Sequence, residues 1–157
     1  MDTRTHLLNP NELEQYLHDH IPLSKAMQVS VLSVQLDGII LGAPLSPNIN
    51  HQATVFGGSA SAVAILAAWS LVHTRLKASG ISSDLVIQRN TMHYELPITG
   101  TFTVRSFIQT AGAWESFTRM LKRKGRARIT VSCVLELAGQ PVGHFDGEFV
   151  ALGADGA

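Results

Sequence analysis

Residues 57–69 read Gly-Gly-Ser-Ala-Ser-Ala-Val-Ala-Ile-Leu-Ala-Ala-Trp, and this stretch decides the fold. Its small and aliphatic residues leave no polar face of any width, so as a helix it must be surrounded by protein. The helical pattern continues to about Ser79, and Gly80 is a suitable residue to end it in the left-handed conformation. The sequence therefore predicts one long central helix that the rest of the chain encloses.

The segment before this helix predicts a short helix and a hairpin. Asn9 and Pro10 indicate a helix start, and the helix should end near Ile21 because Pro22 follows. Asp37-Gly38 lies between two apolar runs, which is a strong signal for a two-residue hairpin turn. The loop that follows, from residue 44 to residue 52, is expected to be ordered.

The segment after the central helix predicts a series of strands. Extended patterns cover residues 85–96 and 101–110, a short amphipathic helix covers 114–124, and alternating apolar residues follow from 126 to 137 before a turn and a last strand. We predict an α+β fold in a single domain over residues 1–157, with a curved antiparallel sheet wrapped around one long central helix. In this arrangement every strand buries one face. The open edges of such a sheet favour a homodimer or a dimer of dimers.

Composition restricts the class of protein further. The 157 residues are 45% hydrophobic and 15% charged, with twelve basic and twelve acidic side chains, so no overall field recruits nucleic acid or membrane. The single cysteine, Cys133, fits a reducing compartment, and the N-terminal residues lack the apolar core of a secretion signal. The apolar run 62–72 is far shorter than the ~20 residues that span a bilayer. We therefore expect a cytoplasmic protein.

A polar loop directly precedes the central helix and predicts a ligand site. Residues 47–56 read Pro-Asn-Ile-Asn-His-Gln-Ala-Thr-Val-Phe, and Gly57-Gly58 follows. The first N–H groups of a helix have no intrahelical acceptor and lie at the positive end of the helix dipole. Glycine has no side chain, so a ligand oxygen can approach these N–H groups closely. The arrangement predicts an oxyanion hole, a device that acyl-transfer enzymes use.

This loop resembles the active-site loop of hot-dog-fold thioesterases, where an Asn or His precedes a Gly-Gly at the start of the central helix. More narrowly, residues 43–51 and 54–59, together with Tyr-Glu-Leu-Pro at 94–97 and Arg-Lys-Gly-Arg-Ala at 123–127, are similar to the YiiD C-terminal thioesterase-like family. The resemblance covers about residues 23–152. It implies a hot-dog fold, acyl-thioester substrates on acyl carrier protein or coenzyme A, no metal or redox cofactor, and decarboxylation of malonyl-carrier protein to the acetyl form, linked to fatty-acid synthesis.

The distribution of acidic residues bears on the reaction. Many hot-dog thioesterases use an Asp or Glu to activate water, but no acidic residue lies between Asp37 and Asp84. Decarboxylation of a malonyl thioester needs no activated water, since negative charge develops on the thioester oxygen as an enolate forms. We therefore favour malonyl decarboxylation. Hydrolysis, with His51 or a carboxylate from a partner strand (Asp84 or Glu95) as base, is one alternative. A non-catalytic acyl-binding regulatory domain is another.

Individual site residues follow from the loop and the resemblance. Asn50 is predicted to donate its amide to the thioester oxygen beside the Gly58 N–H, although an asparagine here also orders a loop. His51 is predicted to orient the substrate carboxylate or to transfer a proton, with a structural role equally open. The remaining candidates are predicted to bind substrate. Four lie in or beside the loop: Asn48, Thr54 (alternatively a helix cap), Phe56 (a pocket wall) and Gly57. Three lie on the strand that the family layout places across a dimer: Asn90, His93 and Tyr94.

Half of the twelve basic residues lie within ten positions, and we call this group the basic cluster: Arg119, Lys122, Arg123, Lys124, Arg126 and Arg128. We predict that Arg123, Lys124 and Arg126 dock an acidic carrier protein or coenzyme A phosphates. The alternative is a solvated surface at a helix C-terminus, where cations are favourable. A nucleic-acid site is not predicted, because aromatic residues do not interleave with the charges.

Overall fold

The computed structural model describes residues 7–153, and the chain has the predicted α+β fold, in which one antiparallel sheet curves around a long helix. The loop before the long helix contains a 3₁₀ turn at Ser46–Asn48. In chain order the other elements are α1 (Pro10–His20), α2 (Pro22–Ala26), β1 (Ser30–Gln35), β2 (Gly38–Ala43), α3 (Gly57–Ala78), β3 (Ser83–Tyr94), β4 (Phe102–Phe107), α4 (Ala113–Lys124), β5 (Arg126–Leu137) and β6 (Gln140–Gly153).

The sheet encloses α3 as the sequence predicts. Its six strands lie in the order β1-β2-β4-β5-β6-β3, and all neighbours are antiparallel. Val63, Ala67 and Leu71 of α3 are fully buried in the same core as the strand residues Phe102 and Phe145. By length and apolar composition the 22-residue α3 could cross a membrane, but 61% of its apolar window is buried inside the fold. It is the core helix.

The first helix begins where the sequence predicts. Asn9 and Glu12 form a reciprocal capping box, with the Glu12 N–H donating to Asn9 Oδ1 at 2.9 Å and the Asn9 N–H donating to Glu12 Oε1 at 3.1 Å. The sequence did not predict α2. Pro22 ends α1 but also begins α2, since proline is well suited to the first turn of a helix. The first strand therefore starts only at Ser30.

The hairpin between β1 and β2 is confirmed, but its turn is one residue earlier than predicted. Gly38 already pairs with Gln35 as the first residue of β2, so the turn consists of Leu36 and Asp37. A Cβ atom on Gly38 would lie 2.6 Å from the carbonyl oxygen of Ser106 on β4. The glycine therefore allows close approach of two strands and is not needed for a left-handed turn.

The two edges of the sheet differ in their protection. The outer edge of β1 is covered by α1: the Val31 N–H donates to Glu14 Oε1 at 2.9 Å, and His18 Nε2 lies 2.8 Å from the carbonyl oxygen of Val29. Strand β3 pairs only with β6, and no strand within residues 7–153 covers its other edge. An uncovered edge of this length presents free backbone groups for pairing with another chain.

The strand register defines two opposite ends of the molecule. Tyr94 of β3, Gly143 of β6 and Leu135 of β5 lie side by side at the end where α3 begins. At the opposite end, Asp84 of β3 lies beside Leu152 of β6, which lies beside Arg126 at the start of β5. We call these the Tyr94 end and the Asp84 end. Asp84 and Tyr94 are ten residues apart on β3, which corresponds to about 33 Å at ~3.3 Å per residue.

Candidate active site

The first turn of α3 has free N–H groups. Phe56 is the N-cap residue, and within the described chain no side chain caps this helix. The N–H groups of Ser59 and Ala60 both donate to the Phe56 carbonyl oxygen, at 2.9 and 3.1 Å. Gly57 and Gly58 precede them at the first two helical positions, whose N–H groups have no intrahelical acceptor. The helix therefore presents two N–H groups at the positive end of its dipole.

Asn50 orders the loop that leads to this helix. Its Oδ1 accepts hydrogen bonds from the Gln52 N–H at 2.8 Å and the Thr54 N–H at 3.1 Å. Its Nδ2 donates to Thr54 Oγ1 at 2.9 Å and, more weakly, to the Val55 carbonyl oxygen at 3.4 Å. The two backbone donors fix which end of the amide carries the oxygen. Direct donation from Asn50 to a substrate would require this amide to leave its present partners.

The bond from Asn50 sets the direction of the Thr54 hydroxyl. Because Thr54 Oγ1 accepts the Asn50 Nδ2–H, the hydroxyl proton of Thr54 remains free to donate elsewhere. Thr54 lines a cavity of about 330 Å³ whose wall also includes Gly57. The arrangement makes Thr54 a hydroxyl donor beside the helix start, with Asn50 as its positioning residue.

The cavity lies between the start of α3 and the end of β3. Tyr94 forms one wall: its hydroxyl donates to the Gly57 carbonyl oxygen at 3.0 Å, and its ring would lie only 3.3 Å from a Cβ atom on Gly57. Gly57 thus permits the close approach of Tyr94. Apolar side chains complete the lining, among them Met92, Leu96, Ile98 and Val142.

Glu95, one of the two carboxylates considered for a partner strand, lies at the rim of this cavity in its own subunit. Its Oε1 lies 2.7 Å from His144 Nδ1. His144 pairs with His93 across β6 and β3, and their rings stack with centroids 4.1 Å apart. Its neighbour Phe145 points into the core, so by alternation His144 points to the outer face of the sheet. The carboxylate of Glu95 is therefore held toward the outer face, away from the helix start.

Phe56, Gly58 and Ser59 line a second, largely apolar hollow of about 280 Å³. This hollow is lined on its other side by Leu23, Met27 and Ala62. A Cβ atom on Gly58 would lie 2.3 Å from the Phe56 ring, so Gly58 lets the ring lie flat against the helix. Phe56 is therefore a wall of this second hollow, and neither Phe56 nor Gly58 lines the first cavity.

The structure does not bring all predicted residues to the cavity. Asn48 is only 2% exposed, and its Nδ2 donates to the carbonyl oxygens of Met27 at 3.0 Å and Pro44 at 2.8 Å, so it anchors the loop. His51 is exposed in the turn before Ala53 and is not part of the cavity wall. Substrate contacts by Asn48 and His51 stay predictions that this geometry does not favour.

The two other β3 candidates also lie outside the cavity wall. Asn90 is on the same face of β3 as Tyr94 but farther along the strand, and His93 is on the opposite face beside His144. Their predicted substrate contacts would therefore need a second subunit. The basic cluster is exposed as predicted, but it lies at the Asp84 end of the sheet, remote from the cavity.

Solved structures place this arrangement in a known class. The chain superimposes on a protein of unknown function from Chlorobaculum tepidum with a TM-score of 0.84 at 30% identity, covering 93% of this chain and 98% of that one. A "putative thioesterase" from Shewanella oneidensis gives 0.81 at 28% identity, with 91% and 96% covered. A thioesterase from Haemophilus influenzae gives 0.75 at 10% identity, with 97% and 96% covered, and shows the fold alone. The fold and site define a hot-dog acyl-thioester enzyme.

The family follows from the sequence match. Residues 10–153 match the family model described as "Putative thioesterase (yiiD_Cterm)", which is nearly the whole described chain. The protein belongs to this YiiD C-terminal family, as the loop and the segments 94–97 and 123–127 indicate.

Proposed function

We propose that the protein decarboxylates a malonyl thioester carried on acyl carrier protein, giving the acetyl thioester. The observation that carries this proposal is the uncapped start of α3, where Gly57 and Thr54 line one cavity and Gly58 follows at the next helical position. Preorganised donors of this kind stabilise the negative charge that develops on a thioester oxygen.

The proposed reaction uses these donors in one charge-developing step. The bond between the malonyl methylene carbon and its carboxylate breaks, carbon dioxide leaves, and the electron pair enters the thioester as an enolate. The enolate oxygen accepts hydrogen bonds from the Gly57–Gly58 backbone and from Thr54, whose hydroxyl is directed by Asn50. A proton from solvent then converts the enolate carbon to the methyl group of the acetyl thioester.

The charges around the cavity favour decarboxylation over hydrolysis. No acidic side chain lies on α3 or in the loop before it, so neither places a carboxylate beside the free N–H groups. Glu95, the acidic residue at the rim, is hydrogen-bonded to His144 on the outer face of the sheet. A malonyl carboxylate therefore meets helix N–H groups and apolar walls, and water lacks an adjacent base.

Thioester hydrolysis is the second candidate, and Glu95 is the observation that favours it. If its carboxylate turns from His144 into the cavity, it becomes a general base at the wall that contains Tyr94 and Thr54. The substrate oxygen would accept hydrogen bonds from the same N–H groups in both reactions. The two candidates therefore differ in Glu95 and share Gly57 and Gly58.

One assay separates the candidates. Malonyl-carrier protein is incubated with the enzyme while carbon dioxide, acetyl-carrier protein and free carrier thiol are measured together. Equal amounts of carbon dioxide and acetyl product support decarboxylation, and thiol without carbon dioxide supports hydrolysis. The Glu95→Gln variant is the matched control, since it should leave decarboxylation nearly unchanged and abolish hydrolysis. Tight binding of the substrate without any product would instead support a non-catalytic regulatory domain.

The proposal includes a homodimer in a cytoplasmic setting. The edge of β3 that no strand of residues 7–153 covers supports the dimer, because it is twelve residues long, contains no proline, and carries the exposed side chains of Val86 and Tyr94. Two-fold pairing of β3 with its copy would extend the sheet across both subunits. The buried free thiol of Cys133 and a carrier-bound substrate both suit the cytoplasm.

A further inference from the structure

Two stacked histidines fix the direction of a carboxylate at the rim of the candidate active site. His93 of β3 and His144 of β6 are direct neighbours in the strand register, and their rings stack with centroids 4.1 Å apart at an interplanar angle of 13°. We call them the histidine pair. His144 Nδ1 lies 2.7 Å from Glu95 Oε1, and because an ionised carboxylate can only accept, the ring N–H is the donor. The stack therefore orients the His144 ring, and the ring orients the carboxylate.

The main chain of Glu95 is fixed, but its side chain is held by one bond. Glu95 directly follows Tyr94, the last residue of β3, and its N–H donates to the Val142 carbonyl oxygen at 3.0 Å, which anchors it at the cavity rim. The side chain is half exposed, and within residues 7–153 His144 is the one side chain that bonds its carboxylate. Rotation about the side-chain bonds of Glu95 therefore moves its charge from the outer face toward the cavity without a change in the fold.

The other charges on the outer face do not substitute for the histidine pair. Asp146 and Glu148, the next outward residues of β6, are acidic and repel a second carboxylate. Arg89 and Arg128 lie on the same face, but both are paired with Glu148, at 3.5 and 4.0 Å. On the cavity side, the free N–H groups at the start of α3 form the positive end of the helix dipole and attract a released carboxylate. Loss of the histidine bond therefore favours Glu95 in the cavity.

We propose that His144, oriented by His93, is a positioning residue that keeps the Glu95 carboxylate out of the cavity and thereby makes the site a decarboxylase instead of a thioesterase. This inference rests on the proposed function. With Glu95 in the cavity, its carboxylate would take a proton from water as the water oxygen attacks the thioester carbonyl carbon. The carbon–sulfur bond would break and the proton would pass from Glu95 to the leaving thiolate. The products would be the free acid and the free thiol.

Two substitutions separate the hydrogen bond of His144 from its ring. His144→Phe keeps a ring against His93 but removes the donor, whereas His144→Asn loses the ring but keeps an amide donor close to the position of Nδ1. Two quantities are measured for each protein: thiol release from acetyl-pantetheine, and the ratio of free thiol to carbon dioxide from malonyl-carrier protein. Thermal unfolding is followed in parallel. His144 is about half exposed, so the fold should tolerate both changes, and His144→Val repeats the loss of the donor if the phenylalanine variant does not fold.

The variants should differ in the product that they release. His144→Phe should raise thiol release at least about tenfold above wild type, since a positioned base contributes about 10²–10⁴-fold. Addition of Glu95→Gln to this variant should return thiol release to the wild-type level, and His144→Asn should stay within about threefold of wild type. An unchanged product ratio in His144→Phe, or a rise that survives Glu95→Gln, would overturn the proposal. A wild type that releases no carbon dioxide would instead refute the proposed function, and thiol release from acetyl-pantetheine would still test the role of His144.

Discussion

The hydroxyl of Thr54 gives the sharpest test of how the site works. Thr54→Val keeps the size and shape of the side chain but removes the hydroxyl that accepts from Asn50 at 2.9 Å and lines the cavity. Loss of one donor to a developing oxyanion lowers turnover by about 10²-fold. Loss of one hydrogen bond destabilises the fold by about 1 kcal/mol, or roughly 2–4 °C in Tm for a chain of this size.

Two variants control this prediction. Thr54→Ser keeps the hydroxyl and should remain within about threefold of wild type, less than 1 kcal/mol in the barrier. Asn50→Asp keeps an oxygen that accepts from the N–H groups of Gln52 and Thr54, but it now accepts the Thr54 hydroxyl proton as well. This reversal withdraws the proton from the cavity, so turnover should fall about as far as in Thr54→Val, with Tm nearly unchanged.

The assay is the initial rate on malonyl-carrier protein at saturating substrate, with thermal unfolding of each variant measured in parallel. A near-normal rate for Thr54→Val combined with a collapse in Asn50→Asp would refute the relay through Thr54. That result would restore Asn50 as the direct donor to the substrate, as the sequence alone predicts. Equal loss in Thr54→Ser and Thr54→Val would show that only the loop shape matters.

Three further predictions concern histidines and the cysteine. His51→Ala should keep kcat within about threefold of wild type, because His51 lies outside the cavity wall, and a loss beyond about 10²-fold in initial rate would return it to the mechanism. Burial, followed by the charge of Lys77, lowers the pKa of His73 to about 4 from 6.5. The folded pKa is depressed below the unfolded value, so stability is full above about pH 6.5 and is lost as pH falls toward 4. After allowance for solvent screening, unfolding titrations should show a loss of about 1 kcal/mol between pH 7 and pH 5 that the His73→Asn variant lacks. Burial also raises the pKa of the Cys133 thiol well above its usual range, so a thiol reagent should label the unfolded protein and leave the native protein unlabelled, and rapid native labelling would contradict this.

Local patterns account for the parts of the fold that the sequence predicts well. The uninterrupted apolar run after Gly57 and the left-handed Gly80 define the two ends of α3, and alternation alone gives the bounds of β5 at Arg126–Leu137. The error at Gly38 has a non-local cause, because the glycine is required by the Ser106 carbonyl oxygen on a strand far along the chain. Sequence rules for turns use only neighbouring residues and therefore do not include that contact.

In the candidate site too, contacts between residues close in the chain are predictable from the sequence, and contacts between distant residues are not. The link from Asn50 to Thr54 spans four residues and belongs to the polar-loop pattern that marks the site. The contact between Glu95 and His144 spans 49 residues and depends on the pairing of β3 with β6. The sequence could therefore indicate the oxyanion site, but the direction of the nearest carboxylate depends on strand register.

The missing helix cap connects stability with the proposed chemistry. A Ser, Thr, Asn or Asp in place of Phe56 would accept from the free N–H groups of the first turn and would typically stabilise the helix by about 1 kcal/mol. The same side chain would occupy the position that a substrate oxygen needs. Two residues of the capping type, Asn50 and Thr54, are close in the chain, yet they bond to each other and leave the helix start open. At the start of α3 the chain therefore lacks a common stabilising contact that a thioester oxygen could replace.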